Sequence, residues 1–255
     1  MSGNSFHHPI IFKLRKNYPS DAVFQKNHEI AFTTPDASAK PMTNHFSYTD
    51  CLSRIAETVE SFFERYRDPN LLYHNIEHVK YVVNRCEALG EHYKLPDEAL
   101  FILKAAAWFH DCGQLTSYGS DHEEKSVEFM RTFFSGAEPI PDEVIEKIAR
   151  CILATNVSKT PQNFLEEIIC DADTFNIGSG EFAVTDKLLR KECDLKENKD
   201  HPDWNDNTLA FFKKHRYYTS YCRDNLAKGK EANAELVRQR SEDSNLQPGT
   251  WNLEP

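Results

Sequence analysis

Three short segments of the sequence place histidine and aspartate where a purely structural role is hard to find. The first is residues 73–78, Tyr-His-Asn-Ile-Glu-His, in which His74 and His78 are four apart and would share one face of a helix. The second is His110-Asp111, which directly follows an apolar run. The third is residues 171–173, Asp-Ala-Asp, after another apolar run. Each segment brings ligand-type side chains to the end of a buried stretch.

These residue types suit a metal ion. Burying a carboxylate is costly unless it is paired or coordinates a cation. Imidazole nitrogen and carboxylate oxygen together bind divalent ions such as Zn, Fe, Mn, Co or Ni, and Mg is a further possibility through oxygen. Ligands from three helices converge readily in the core of a bundle. A site of this kind keeps positions open for substrate and activates water near neutral pH.

Each segment alone has a simpler explanation. A single histidine on an amphipathic helix is more often a surface or core residue than a ligand, and the dipeptide His110-Asp111 is weak evidence by itself. The aspartates of residues 171–173 could cap the following helix. The ordered set of histidine, then histidine-aspartate, then aspartate, each at a buried helix end, is more specific than any of its parts.

Helical periodicity predicts the elements that must position these residues. From Tyr48 onward, apolar residues recur at helical spacing and strand-like alternation is scarce, which predicts an all-α domain over residues 44–240. Gly90 is placed to end the second helix. Further helices are expected from Pro96 to residue 109, from Asp121, after Pro141, after Pro161, and over residues 182–189, 209–218 and 221–237.

The two ends of the chain differ from this domain. Residues 1–43 mix polar residues and proline with isolated apolar residues, which predicts a loosely ordered arm in which residues 9–12 could dock. We expect this arm to be dispensable for the metal site. Residues 241–255 are polar and predict a tail, in which Trp251 could dock.

Composition excludes several classes of function. With 40 acidic and 30 basic residues, the net charge of −10 argues against an extended nucleic-acid surface, although a local basic pocket for one phosphate is allowed. There is no apolar run of about 18 residues, so we expect no membrane helix. The seven cysteines are scattered without a C-x-x-C pair, as is typical of reduced thiols in a cytoplasmic protein.

In combination, the three segments resemble a known family. The order His78, His110-Asp111, Asp173 is similar to the H…HD…D signature of the HD superfamily of metal-dependent phosphohydrolases. The local contexts are similar as well: residues 73–82 (Tyr-His-Asn-x-x-His-x-x-x-Val), 107–111 (Ala-Trp-Phe-His-Asp), 152–155 (Ile-Leu-Ala-Thr) and 170–173 (Cys-Asp-Ala-Asp). The resemblance, strongest to bacterial-type predicted HD proteins, covers the chain from about Leu72 and implies an HD-domain helical bundle.

The resemblance implies a role for each segment. His78, His110, Asp111 and Asp173 would be the metal ligands. Asp173 is favoured over Asp171 because the last ligand of the family commonly follows an alanine, and Asp171 would then orient a histidine ligand. His74 resembles the histidine that protonates the leaving oxygen in cyclic nucleotide phosphodiesterases of the superfamily, and it would deliver a proton from one turn before His78.

Residues 120–126 resemble a Glu-rich element that follows the HD pair in relatives. One of Glu123 and Glu124 would orient or deprotonate the attacking water, and we place Glu124 ahead. The alternative is a capping box in which Asp121 and Glu124 start a helix. Lys159 or Lys125 could contact a substrate phosphate, although a surface lysine is more often only solvated.

One departure from the family bears on the reaction. Residues 156–159, Asn-Val-Ser-Lys, lack the further histidine of many two-metal relatives, which favours a single ion. We therefore expect a divalent metal ion and hydrolysis of a phosphate ester, such as a nucleotide or a small phosphorylated metabolite, by metal-activated water. The alternatives are hydratase or lyase chemistry on the same fold, and a module that senses a nucleotide without catalysis.

Overall fold

The computed structural model describes residues 47–116, 121–136 and 140–246. Within these ranges there are nine α-helices and no strand, so the prediction of an all-α fold is confirmed. Short 3₁₀ helices at Cys112–Leu115 and Phe175–Gly178 follow α3 and α6. The α-helices are α1 Tyr48–Arg65, α2 Ile76–His92, α3 Asp97–Phe109, α4 His122–Ser135, α5 Asp142–Ala154, α6 Phe164–Asp173, α7 Phe182–Glu197, α8 Trp204–Lys214 and α9 Ser220–Leu246.

Helix α3 lies at the centre of the bundle. Residues 105–109 at its carboxyl end are apolar on all sides, which requires neighbours all round them. It packs against α1, α2, α5 and α6, as predicted for a buried central helix. Its side chains that are at most 1 % exposed are Phe101, Ile102, Leu103, Ala105, Ala106, Ala107 and Phe109. The central helix therefore fixes the position of His110 and Asp111 at its carboxyl end.

The start of α2 differs from the prediction. The side-chain oxygen of Asn75 accepts hydrogen bonds from the backbone N–H groups of Glu77 and His78, so Asn75 caps the helix and Ile76 begins it. His74 therefore precedes the helix. The prediction that His74 and His78 share one helical face was wrong, because the cap ends the extended segment at Asn75.

The end of α2 was also predicted incorrectly. The helix continues through Gly90 to His92. A Cβ atom on Gly90 would lie 2.6 Å from the Leu100 side chain of α3. The missing side chain thus permits close packing of α2 on α3 rather than ending the helix.

A second, smaller core joins the C-terminal helices to the bundle. It contains Ile177, Phe182, Phe212, Ala234 and Val237 from the second 3₁₀ helix, α7, α8 and α9. The backbones meet closely here, because a Cβ atom on Gly229 of α9 would lie 2.0 Å from the carbonyl oxygen of Gly178. This contact anchors α9 on the segment that follows α6.

The predicted chain ends fall largely outside the described ranges. The arm at residues 1–43 lies outside them, as do residues 247–255. Helix α9 continues to Leu246 and so enters the segment predicted as a polar tail. All seven cysteines are free. Among the helices of the described ranges, none combines the length and apolar character needed to cross a membrane.

Candidate metal centre

The predicted ligand residues converge at the ends of three helices. His78 lies in the first turn of α2, His110 and Asp111 follow α3, and Asp173 ends α6. His78 Nε2 lies 3.4 Å from His110 Nε2, 3.5 Å from Asp111 Oδ2 and 3.1 Å from Asp173 Oδ1. His110 Nε2 lies 3.2 Å from Asp111 Oδ2 and 3.6 Å from Asp173 Oδ1. The structure thus brings all four residues together, and we call them the His-Asp cluster.

The ring of His110 is oriented by the backbone of its own helix. Its Nδ1 lies 2.8 Å from the carbonyl oxygen of Ala107. A carbonyl oxygen can only accept a hydrogen bond, so Nδ1 carries the proton and donates it. In a neutral ring, Nε2 then presents its lone pair to the cluster, as a metal ligand must.

Asp111 gives the clearest sign that the cluster suits a cation. The residue is 3 % exposed, and its Oδ2 makes no well-formed hydrogen bond within the described residues, although His110 Nε2 lies 3.2 Å away. An ionised carboxylate at this depth requires a positive partner. Ligand atoms of His78, His110 and Asp111 lie within 4.8 Å of one another, and this set of two nitrogens and an oxygen suits a divalent transition metal. The residues present therefore fit such an ion.

The charges of the cluster support this fit. Burial by itself lowers the pKa of His110, but Asp111 and Asp173 outweigh it and raise that pKa well above its usual value. Burial raises the pKa of both carboxyls, yet His110 and His78 hold the pKa of Asp173 far below its usual range, and the pKa of Asp111 is also well below it. Both carboxylates therefore stay ionised, which is the form that binds metal, whereas His110 would give up its Nε2 proton when an ion binds.

Asp171 has a separate role. It is fully buried, and its carboxylate accepts hydrogen bonds from Tyr218 N at 2.8 Å, Thr219 N at 2.7 Å and Thr219 Oγ1 at 2.7 Å. It therefore fixes the segment that leads into α9. The expectation that Asp171 orients a histidine ligand was wrong, since its oxygens are used by this segment, and Asp173 is the aspartate that faces the histidines.

His74 lies beside the cluster and is held by a residue that the sequence analysis missed. Its ring is 5.9 Å from that of His78, centre to centre. His74 Nδ1 lies 2.5 Å from Glu192 Oε1. The other oxygen of Glu192 accepts from the backbone N–H groups of Tyr73 at 2.7 Å and His74 at 3.0 Å. Glu192, from α7, thus fixes both the ring and the backbone of this segment.

Two further side chains complete the surroundings of Glu192. Lys196 Nζ lies 2.8 Å from Glu192 Oε1 and 3.2 Å from Gln114 Oε1. Burial raises the pKa of Glu192, but His74 and Lys196 lower it far below its usual range. Burial lowers the pKa of His74, and Glu192 reverses this and raises it. His74 is thus favoured in its protonated form, which a proton donor needs.

The two glutamates at the start of α4 have opposite environments. Glu123 is 3 % exposed, and its Oε2 has no hydrogen-bond partner among the described residues, while Oε1 lies 3.3 Å from His122 Nε2. The side chain of Glu124 is 51 % exposed. The Asp121 side chain makes no hydrogen bond that caps α4, so Asp121 and Glu124 do not form the capping box considered as the alternative. Glu123, rather than the favoured Glu124, is the glutamate that points into the protein.

The two lysines considered for phosphate binding both meet carboxylates. Lys159 Nζ lies 3.4 Å from Glu124 Oε1. Lys125 Nζ lies 3.0 Å from Glu128 Oε2, one turn along the same helix. These two ion pairs therefore do not direct either lysine towards the His-Asp cluster.

The start of α4 is fastened to the end of α3. Ser126 Oγ donates to the carbonyl oxygen of His110 at 2.6 Å and accepts from Gly113 N at 2.9 Å. A Cβ atom on Gly113 would lie 1.9 Å from the carbonyl oxygen of His122, so only glycine fits there. Ser126 was missed, although a small polar residue within an apolar stripe is a usable signal. These contacts fix the start of α4, where the negative charge of Asp111 acts on Glu123.

A comparison with known protein families finds a match in the region that holds the His-Asp cluster. Residues 75–177 match the family model described as HD domain. No curated protein and no solved structure matches the chain. The matched segment includes all four residues of the His-Asp cluster, whereas His74 and Glu192 lie outside it. Residues 75–177 are therefore similar to an HD domain, and the cluster of His78, His110 and Asp111 within them fits the metal-binding motif of that domain.

Proposed function

We propose that this protein is a metal-dependent phosphohydrolase that cleaves a phosphate ester, either a nucleotide or a small phosphorylated metabolite. One observation carries the proposal. The buried Asp111 carboxylate lies within 3.5 Å of Nε2 of both His78 and His110, and the Asp173 carboxylate faces the same two nitrogens. The family supports hydrolysis as the reaction class.

His78, His110, Asp111 and Asp173 would hold one divalent ion, with Mn, Fe, Co, Ni, Zn and Mg as the choices. When bound, such an ion supplies Lewis-acid activation of water and of a phosphoryl oxygen. The two carboxylates offset its charge and stay ionised because both histidines face them. The Ala107 carbonyl keeps His110 in the tautomer that can serve as a ligand.

His74 would protonate the leaving oxygen from Nε2. Glu192 occupies Nδ1 and stabilises the protonated ring, so Nε2 is the nitrogen that can reach a substrate. The His74 side chain is 23 % exposed, unlike those of the cluster histidines, and a ligand can therefore approach it. A donor fixed in this way contributes typically about 10²–10⁴-fold to the rate.

Glu123 would orient the attacking water and accept its proton. Its Oε2 is buried without a partner, and burial raises its pKa, which strengthens it as a base. Glu124 lies one residue away on the exposed side of α4 and binds Lys159 instead. We therefore prefer Glu123 for the role that the sequence analysis gave to Glu124.

The test combines metal analysis with a substrate screen. The purified protein is analysed for bound metals, stripped with chelator, and assayed with each ion against nucleotides and p-nitrophenyl phosphate. We expect turnover that requires a restored ion and disappears in Asp111→Ala, while the exposed Asp142→Ala behaves as wild type. If the wild type binds metal and a nucleotide yet turns over nothing, the nucleotide-sensing alternative replaces this proposal.

A further inference from the structure

A cavity in the C-terminal part of the molecule lies apart from the His-Asp cluster. It is bounded by α8, by the segment that joins α8 to α9, and by α9 itself, and its volume is about 520 Å³. No residue of the cluster lines it. Its cationic side chains are Arg216, Arg223, Lys230 and Arg238, and we call it the basic cavity.

The charge of the basic cavity is opposite to that of the chain. The chain has a net charge of −10, yet Glu231 is the single carboxylate among the described residues that line the cavity. Arg238 is neutralised by Glu235, at 2.7 Å. The other three cations have no carboxylate oxygen within 4.0 Å among the residues that the structure describes. This leaves an uncompensated positive charge.

Neutral groups hold these three cations in place. The guanidinium of Arg223 donates to the carbonyl oxygen of Tyr218, and that of Arg216 lies over the Tyr218 ring at 5.3 Å. Lys230 Nζ donates to the carbonyl oxygen of His215 at 2.5 Å. A carbonyl or an aromatic ring positions a cation without cancelling its charge. The three side chains therefore remain available to an anion.

Two polar groups at the cavity lack full compensation. Lys230 is partly buried, and burial lowers its pKa because the charged form loses water. His215 Nδ1 is buried, and no described residue is its hydrogen-bond partner. A bound anion would offset the cost of burying the Lys230 charge. Lys230 therefore favours an anionic ligand. His215 Nε2 donates to Thr174 Oγ1, whose own proton goes to the carbonyl oxygen of Cys170, so Nδ1 of the neutral ring can accept a hydrogen bond from a donor on the ligand.

Part of the cavity lining is apolar. Phe212 and Tyr217 are each 6 % exposed and Ala234 is 8 % exposed, and all three line the cavity. A free inorganic anion would leave this part of the lining unused. Pockets for small organic ligands typically have volumes of about 300–1,000 Å³, so the space suits a compound with an apolar or aromatic part.

We propose that the basic cavity is a second binding site, for a small organic phosphate such as a nucleoside monophosphate. Arg216, Arg223 and Lys230 bind the phosphate by charge-assisted hydrogen bonds. Phe212, Tyr217 and Ala234 contact the organic part. The site is independent of the proposed hydrolysis, because it shares no residue with the His-Asp cluster.

The experiment is a calorimetric titration of the full-length chain with AMP and, separately, with inorganic phosphate. We expect saturable AMP binding in both the wild type and Asp111→Ala, which cannot use the cluster. Arg223→Gln and Lys230→Gln should each weaken AMP binding about tenfold or more, the size expected for one charge-assisted hydrogen bond. The matched control is Lys80→Gln, which removes a lysine paired with Glu60 elsewhere on the surface and should leave the affinity unchanged.

Several outcomes would overturn the proposal. AMP binding that vanishes in Asp111→Ala would place AMP at the His-Asp cluster. An affinity that is unchanged in both cavity variants would remove the basic cavity as the site. If inorganic phosphate bound as tightly as AMP, the apolar residues would not contribute to binding, and the proposal of an organic ligand would be refuted. Lys230 donates to the backbone carbonyl of His215, so circular dichroism should check that Lys230→Gln still folds. If this variant unfolds, Arg216→Gln, at an exposed residue, replaces it.

Discussion

Two buried aspartates in different regions of the molecule have very different surroundings. Asp186, in the C-terminal helices, is 7 % exposed, and its oxygens accept from Trp204 Nε1 at 2.8 Å and from an Arg240 guanidinium nitrogen at 2.7 Å. Asp111, in the His-Asp cluster, is 3 % exposed, and its Oδ2 makes no well-formed hydrogen bond in the described ranges but faces two histidine nitrogens. The partners of the first carboxylate are donors that cannot bind a metal, whereas those of the second are themselves possible metal ligands. Depth of burial alone thus does not distinguish a structural carboxylate from a functional one. The identity of the groups that contact the carboxylate oxygens does.

The largest effect on metal binding and turnover should come from removing the carboxylate of Asp111. Asp111→Asn should abolish metal binding and turnover, because it removes a charged ligand while keeping the shape of the side chain. The unfolding temperature of the chelator-treated protein should fall, because His110 outweighs burial and holds the pKa of Asp111 low, so the charged carboxylate stabilises the metal-free fold. Metal analysis, activity assays and thermal unfolding test this. Full metal occupancy in the variant would refute the assignment of Asp111.

The next effect concerns proton delivery within the same region. His74→Asn should keep the metal and lower kcat about 10²–10⁴-fold on an alkyl phosphate ester. The loss should be much smaller on p-nitrophenyl phosphate, whose leaving group needs little protonation. His92→Asn, on α2 away from the cluster, is the matched control. An equal loss on both substrates would favour positioning over proton donation, and loss of metal would make His74 a ligand.

A smaller effect is expected at the residue that supports His74. Glu192→Gln should lower kcat about 10–100-fold, as for other residues that orient a functional histidine. Glu192 raises the pKa of His74, so its removal lowers that pKa, and the alkaline limb of the kcat/KM profile should move to lower pH. Glu197→Gln, on the same helix, should leave the profile in place. A reduced rate with an unshifted profile would indicate a purely structural role.

The smallest catalytic effect should come from the compensated carboxylate. Asp186→Asn should lower the free energy of unfolding by about 1–3 kcal/mol, because it weakens buried hydrogen bonds to Trp204 and Arg240. Metal content and kcat should match the wild type. Denaturant unfolding and steady-state kinetics measure the two. If the variant lost metal while its stability held, the contrast between the two aspartates would fail.

The parts of the site that the sequence predicted are those with a local signal. His110 and Asp111 stand out because they follow an apolar helix that has no reason to end in charge. Asp171 and Asp173 are separable by helix geometry, since two residues turn a helix by about 200° and place their side chains on opposite sides. Only one of them could face the histidines, and the structure gives that place to Asp173.

The parts that the sequence did not predict depend on distant partners or on one-residue choices. Glu192 lies 118 residues from His74 in a helix of ordinary amphipathic pattern, so nothing near it marks its role. Glu123 and Glu124 are chemically identical neighbours, and the fastening of α4 through Ser126 decides which one is buried. Asn75 moved the start of α2 past His74, because a cap overrides the helical spacing of the two histidines.

The contacts of the site join residues that are separated by very different distances along the sequence. His78 meets His110 across 32 residues and Asp173 across 95, whereas His74 meets Glu192 across 118. Chains emerge from the ribosome N-terminus first, and contacts between distant residues form late. All four ligands of the His-Asp cluster are therefore synthesised before the residue that orients the proton donor. Under the proposed function, a nascent chain would bind its metal before it could deliver a proton, and the docking of α7 would be the step that completes the site.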